Sequence, residues 1–149
     1  VEKKRCVDLP GITASKQPIR VNDPNIADQY CKSKGGQLPT VAEWTAAAGS
    51  GVYPWGSEKP KCDLANGLGC GGAPRDVCTT PKGASPYGVQ DLAGNLREWV
   101  WVDESRSRAK LVGGSFDSGP HDLGKNSVLY PPKNYLAEDA GFRCVYPVD

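Results

Sequence analysis

The chain has 149 residues, with 18 Lys and Arg against 17 Asp and Glu, a net charge of +1, 38% hydrophobic residues and 23% charged ones. That is the length and composition of one globular domain, and so even a charge balance offers no field to hold nucleic acid or an anionic surface. Eighteen Gly and thirteen Pro, with no low-complexity tract to absorb them, require many turns and short elements.

No apolar run approaches the roughly 20 residues of a membrane helix, so direct membrane insertion is not expected. The chain starts at Val1 without a signal sequence and contains no Met, which reads as a processed or excised form. The six cysteines are Cys6, Cys31, Cys62, Cys70, Cys78 and Cys144; there is no C-x-x-C pair and a single His. That pattern favours disulfides over zinc, and hence an oxidising location: secreted, periplasmic or cell-surface. Among the fifteen pairings that six cysteines allow, spacing alone does not choose.

Residues 1–17, VEKKRCVDLPGITASKQ, show no periodicity and hold Pro10 and Gly11; they read as an N-terminal arm that Cys6 could tether, with the domain proper at 18–149. Lys3-Lys4-Arg5 reads as a solvated tail. Asn22 or Asp23 is placed to cap a helix that takes Pro24 in its first turn. It would show Ile26, Ala27, Tyr30 and Cys31 on one face and end at Gly35-Gly36. Thr40, with Glu43 three residues on, makes a capping box for a second helix that carries Trp44, Ala47 and Ala48 and stops at Gly49. Glu43 and Trp44 are assigned to capping and core packing. An aromatic turn follows at Tyr53-Pro54-Trp55-Gly56. The loop from Ser57 to Pro86 has no regular pattern, and a loop that long needs pins such as Cys62, Cys70 and Cys78.

The stretch Ser85 to Trp101, SPYGVQDLAGNLREWVW, feeds a loop into buried structure. Asp91, Asn95 and Glu98 place three oxygen donors close together, and Gly94 lets backbone carbonyls turn toward a common point. That is hard-cation chemistry, calcium above all, although the same residues also make an ordinary turn. Leu96 to Val102 is expected as a strand with Trp99 and Trp101 on one face. Lys110 to Val112 is expected as another, bending at Gly113-Gly114, with Phe142 to Tyr146 as the closing strand.

The run GVQDLAGNLREWV resembles the loop G-L-x-D-M-x-G-N-V-x-E-W-V of the formylglycine-generating enzyme, or sulfatase-modifying factor, family. Four more stretches match in order: QLPTVAEWTAAA at 37–48, YPWGSE at 53–58, LVGGSF at 111–116 and AGFRCV at 140–145. The likeness covers about residues 18–146 and is weakest at the N-terminus, so the chain looks like a minimal or truncated member. It implies an α+β, C-type-lectin-like fold of two short helices, short antiparallel strands and long irregular loops. It also implies a disulfide from Cys31 in the first helix to Cys144 in the last strand, worth roughly 4–5 kcal/mol as a long closed loop. Cys6, Cys62, Cys70 and Cys78 keep three possible pairings. The family carries structural calcium, which the likeness places near Asn95 and Glu98 with Asp91, and at a second site near Asn66 with Asp76 as an acidic partner.

Catalytic members hold copper with a cysteine pair just after G-G-S-[WF]. Here the sequence reads GGSFDSGPHDLGKNSVLY, with Asp117, Ser118 and His121 at those places and no cysteine between Cys78 and Cys144. Soft Cu(I) wants thiolate or thioether ligands, and a lone His cannot build the polyhistidine iron site of a related branch. His121 and Asp122 with Ser115 or Ser118 are the right types for acyl transfer, but sequence proximity carries no geometric warrant. The expectation is a non-catalytic module. It would bind a protein or glycan, or help build an extracellular assembly, through a loop face of His121, Tyr130, Asn134 and Tyr135 with Trp55 nearby. The competing reading is an oxidoreductase-like enzyme working in the remodelled groove.

Overall fold

Asp23 starts the regular structure: its carboxylate accepts the Asn25 amide, and Pro24 supplies a preset φ for the first turn of α1 (Pro24–Ser33). The computed structural model describes residues 17–131 and 138–147. The buried stripe of α1 is Ala27, Asp28 and Cys31, not the expected Ile26, Ala27, Tyr30 and Cys31. Asp28 is turned inward because its carboxylate accepts the buried Leu38 amide at 3.0 Å and pairs with Lys32 at 2.8 Å. That rotation leaves Ile26 and Tyr30 on the surface.

α2 (Val41–Ala48) has the capping box in full, with Thr40 and Glu43 each accepting the other's amide, and it stops at Gly49, whose φ is 84°. The strands are β1 (Arg97–Trp101), β2 (Ala109–Val112), β3 (Val128–Leu129) and β4 (Ala140–Gly141), in the order β3-β2-β1-β4. β1 runs antiparallel to β2, and β2 to β3, but β4 is parallel to β1, so the sheet is mixed rather than wholly antiparallel. The parallel edge is stitched by the Arg97 amide to Asp139 O at 2.7 Å, and its far side is covered by the Val21 amide to Ala140 O at 3.0 Å.

The closing strand is shorter and earlier than Phe142 to Tyr146. Beyond β4, Arg143 reaches inward to Glu98 and Cys144 bonds Cys31, and only Val145 returns to pair with Gln37. Alternation along β1 divides the core. Trp99 and Trp101 face α1 with Ala27, Leu38, Leu111 and Ala140. Val100 faces α2 with Trp44, Ala48, Leu92 and Val112.

Two disulfides are fully placed, Cys31–Cys144 as the resemblance implied, and Cys62–Cys70. Cys78 is also disulfide-bonded; Cys6 lies outside the described residues. The long loop is pinned by Cys62–Cys70, by Arg75, whose guanidinium donates to the Cys62 and Cys70 carbonyls at 3.0 Å each, and by a 3₁₀ turn at Pro81–Gly83. Gly83 is there by necessity, since a Cβ would sit 1.7 Å from Leu64 O.

Candidate functional site

β1 carries Glu98 inward on the α2 side, leaving it 6% exposed. A carboxylate so placed needs donors, and it has four contacts with them. Trp44 Nε1 donates to Oε2 at 2.7 Å. Arg143 closes a two-pronged pair, with Nε at 2.7 Å from Oε2 and 3.0 Å from Oε1, and Nη2 at 2.6 Å from Oε1. Nη2 also donates to Gln90 O at 3.0 Å, which ties the loop before β1 to the segment after β4. Burial opposes the Arg143 charge, but Glu98, by charge and hydrogen bonding, and Asp91, by charge, outweigh it, so its pKa is raised.

Asp91, Asn95 and Glu98 line one groove of about 1290 Å³, together with Arg143, Gln90 and Cys78. The structure therefore gathers the three residues of the central loop. Asp91 and Asn95 both take positive φ, 60° and 67°, which Asp and Asn tolerate better than other side chains. Asp91 Oδ2 accepts the Cys78 amide at 2.8 Å. Asn95 Oδ1 accepts the Arg75 amide at 2.8 Å and Asn66 Nδ2 at 3.0 Å, while its own Nδ2 donates to Arg75 O. Asn66 Nδ2 also reaches Ala73 O at 2.9 Å. Asp76 accepts Gln17 Nε2 at 2.6 Å.

Calcium takes six to eight oxygens. Of the expected ligands, Glu98 and Asn95 spend their side-chain oxygens on donors within the chain, and the positive charge beside Glu98 is the Arg143 guanidinium. Two buried amide oxygens, Asn66 Oδ1 and Gln90 Oε1, have no hydrogen-bond partner among the described residues. Orphaned acceptors of this kind fit a bound cation or an ordered water. The unpaired acceptors here are thus those of Asn66 and Gln90, whereas the side-chain oxygens of Glu98 and Asn95 are committed within the chain. Among the described residues, no three His, Cys, Asp or Glu side chains form a metal-binding group.

The expected recognition residues divide. Trp55 stacks on Tyr53 with ring centroids 4.9 Å apart and planes 4° apart, and its Nε1 donates to Glu58 O. Tyr53 OH donates to Pro120 O at 3.3 Å, which joins this aromatic turn to the 3₁₀ turn Pro120–Asp122 that carries exposed His121. His121 and Asp122 line a cavity of about 510 Å³ with Ser50, Lys125, Asn126 and Val128. Tyr130, two residues past Val128, is 65% exposed with Lys110 Nζ 5.8 Å from its ring centre. Asn134 and Tyr135 lie outside the described residues.

Just after Gly113-Gly114, Ser115 and Ser118 are buried and bonded locally. The Ser115 amide donates to Ser118 Oγ at 2.8 Å, Arg97 Nη2 reaches the same oxygen at 3.4 Å, and the Asp117 amide donates to Ser115 Oγ at 3.3 Å. Neither hydroxyl hydrogen-bonds His121 among the described residues, so no serine–histidine nucleophile is assembled. Arg143 and Arg75 were not singled out from sequence. The available signal was Glu98 itself, an acid on the buried side of an aromatic strand, which has to find a cation.

The family model described as the sulfatase-modifying factor enzyme 1-like domain matches residues 11–148. The chain belongs to that family. Hercynine oxygenase of Mycolicibacterium smegmatis is 38% identical over 81 residues, 50% of this chain and 19% of the relative. Inactive C-alpha-formylglycine-generating enzyme 2 of Bos taurus is 35% identical over 144 residues, 80% of this chain and 47% of the relative. The chain therefore spans half or less of these curated relatives. The structure of PvdO from Pseudomonas aeruginosa superposes with a TM-score of 0.70 at 19% identity, covering 85% of this chain and 60% of that one, a likeness of fold.

Proposed function

We propose that this chain is a non-catalytic binding or assembly module of an oxidising compartment, one that recognises a protein or glycan through the Trp55, His121 and Tyr130 face. The observation that carries this reading is the segment after Gly113-Gly114. Where catalytic members are expected to hold two thiols, this chain has no cysteine but residues such as Asp117, Ser118 and His121, with the Ser118 hydroxyl engaged by the Ser115 amide and Arg97. The likeness to a relative named as inactive, over 80% of this chain, supports the same conclusion. The disulfides support the compartment. Among the described residues, no helix is long and apolar enough to cross a membrane.

Stacked and exposed aromatic rings beside a polar cavity are the surface chemistry of recognition: they contribute contact area at low entropic cost. Calcium belongs to this reading as a structural ion of the central loop, for which the unpaired Asn66 Oδ1 and Gln90 Oε1 are available as acceptors. It would fix the central loop and take no part in chemistry.

The test has two arms. Copper-loaded protein is assayed for oxidation of a cysteine peptide and iron-loaded protein for oxygenation of hercynine, and no turnover above buffer is expected in either. In parallel, wild type and Trp55→Ala/Tyr130→Ala are applied to immobilised glycans and purified extracellular proteins, with at least tenfold weaker binding expected for the variant. Turnover that disappears in His121→Ala would replace this reading with the oxidoreductase one, which the partial match to hercynine oxygenase favours.

A further inference from the structure

The segment Cys62 to Cys70, CDLANGLGC, is a small loop closed by its own disulfide. It contains only single turns and one bridge, so its shape depends on that bond and on the groups it touches. Those groups belong to two different regions. On one side Asn66, midway between the cysteines, bridges to Gly94; its carbonyl accepts the Asn95 amide at 2.8 Å, and its Nδ2 donates to Asn95 Oδ1. On the other side the Leu68 amide donates to Ser118 O at 2.9 Å. Gly67 lies so near the same segment that a Cβ would meet Leu123 Cδ1 at 2.8 Å and Ser118 O at 3.1 Å. Ala65 joins Ala93 and Leu123 in the apolar cluster against which Tyr53 and Trp55 pack. The loop therefore ties the central turn to the Trp55 and His121 face.

The two placed disulfides are unequal. Cys31–Cys144 closes a separation of 113 residues and Cys31 is fully buried, whereas Cys62–Cys70 closes 8, with Cys62 exposed and Cys70 half-buried. A bond across a short loop constrains the unfolded chain less, and by linkage the fold protects that bond less against reduction. Exposure admits an attacking thiolate. Both effects select Cys62–Cys70 as the bond that opens first of the two.

We infer that Cys62–Cys70 is a thiol–disulfide exchange site for a dithiol reductant, and that its opening loosens the Trp55 and His121 face together with the central turn. One thiolate of the reductant attacks Cys62 sulfur, forms a mixed disulfide and releases Cys70, which takes a proton. The second thiolate then displaces Cys62, and the reductant leaves as its own disulfide, having passed two electrons and two protons to the pair. Arg75 carries the change inward. Its guanidinium spans the Cys62 and Cys70 carbonyls, while its backbone amide and carbonyl bracket the Asn95 side chain. Once the carbonyls separate, one planar guanidinium no longer holds both. The effect on recognition rests on the binding role proposed above; the exchange chemistry does not.

The native chain is titrated with dithiothreitol, alkylated and mapped by mass spectrometry. Cys62 and Cys70 are expected to label at roughly tenfold lower reductant than Cys31 and Cys144, and labelling of all four together, or of Cys31 and Cys144 first, overturns the exchange site. Hydrogen exchange is then compared between wild type and Cys62→Ser/Cys70→Ser. Leu68 and Asn95 amides are expected to exchange about tenfold faster, with β1 and β2 unchanged. Unchanged Leu68 and Asn95 amides overturn the coupling, and equal loss throughout β1 and β2 makes the bond a staple of the whole fold instead. Finally, both proteins are applied to the same immobilised glycans and extracellular proteins. Weaker binding by the variant is expected, and equal binding removes control of recognition. A wild type that binds none of them refutes the recognition role alone, since labelling and exchange test the site without a partner.

Discussion

Glu98 and Arg143 are the residues whose meaning changed most between chain and fold. Glu98 was expected from the sequence as a calcium ligand, yet in β1 both its oxygens are taken by Arg143 and Trp44. Removing one member of a buried pair leaves an uncompensated charge, at about 3–5 kcal/mol when burial is complete. The Arg143 side chain keeps 26% of its surface exposed against 8% for Glu98, so solvent recovers part of that loss. Glu98→Gln is accordingly expected to cost roughly 2–3 kcal/mol in urea unfolding. Arg143→Lys should also be destabilising, because a single ammonium cannot reproduce the two-pronged contact. An unchanged unfolding midpoint in both variants would count against the pair. Glu98 was legible in the sequence as an oxygen donor. Its partner was not, because 45 residues separate the two and only the sheet brings them together.

At the scale of the element, caps were readable and faces less so. Thr40 with Glu43, Asp23 with Pro24, and Gly49 are local devices whose partners lie within four residues, and each sits where the residues indicated. The α1 stripe went astray by one position because Asp28 does work that hydrophobic periodicity does not register: it accepts the Leu38 amide across a turn. Burial pushes the Asp28 pKa up, but Lys32, the Leu38 amide and the Arg106 charge outweigh it, and the net shift is downward from the ordinary 3.8. A depressed folded pKa means that the stabilisation is present above the unfolded value and is lost as pH falls through the folded one. Stability from Asp28 should therefore hold from neutrality to about pH 4 and decline below it. Asp28→Asn should be less stable at pH 7 and lose less on acidification, as read by melting temperature from pH 7 to pH 2; parallel curves for both proteins would exclude this role. The β3 pairing and the parallel direction of β4 had no local signal, since two-residue strands take their identity from the neighbour they bond.

At the scale of the molecule, the Cys31–Cys144 bond encloses most of the chain, with a separation of 113 residues. Closing such a loop in the unfolded state is worth about 4–5 kcal/mol in the chain-entropy model. Cys31→Ser/Cys144→Ser should therefore melt about 10 °C lower, at roughly 2–4 °C per kcal/mol for a chain of this size. A drop of only a degree or two would mean that α1 and the C-terminal segment hold each other without the bond. Calcium acts on the same scale: a ligand at 100 times its dissociation constant adds about 2.7 kcal/mol. EDTA-treated protein should gain about 5–10 °C on calcium addition and less in Asp91→Asn. Identical melting with and without calcium would remove the ion from the proposal and leave water on the Asn66 and Gln90 oxygens.

What the sequence determined by itself was whatever depends on short range or on ordered motifs: two capped helices, the tryptophan strand, an α+β fold of this family, and the loss of the family's thiols. Asp91, Asn95 and Glu98 line one groove, since they stand within eight residues of one another along the loop that leads into β1. Only the tertiary structure decided which charges answer each other, which face of α1 is inside, and where open apolar surface remains. Each of those depends on groups distant in the chain that become neighbours when the sheet closes. A buried carboxylate takes the strongest donor that folding brings to it. Here that donor was Arg143, fixed by β4 and by the disulfide at the next residue.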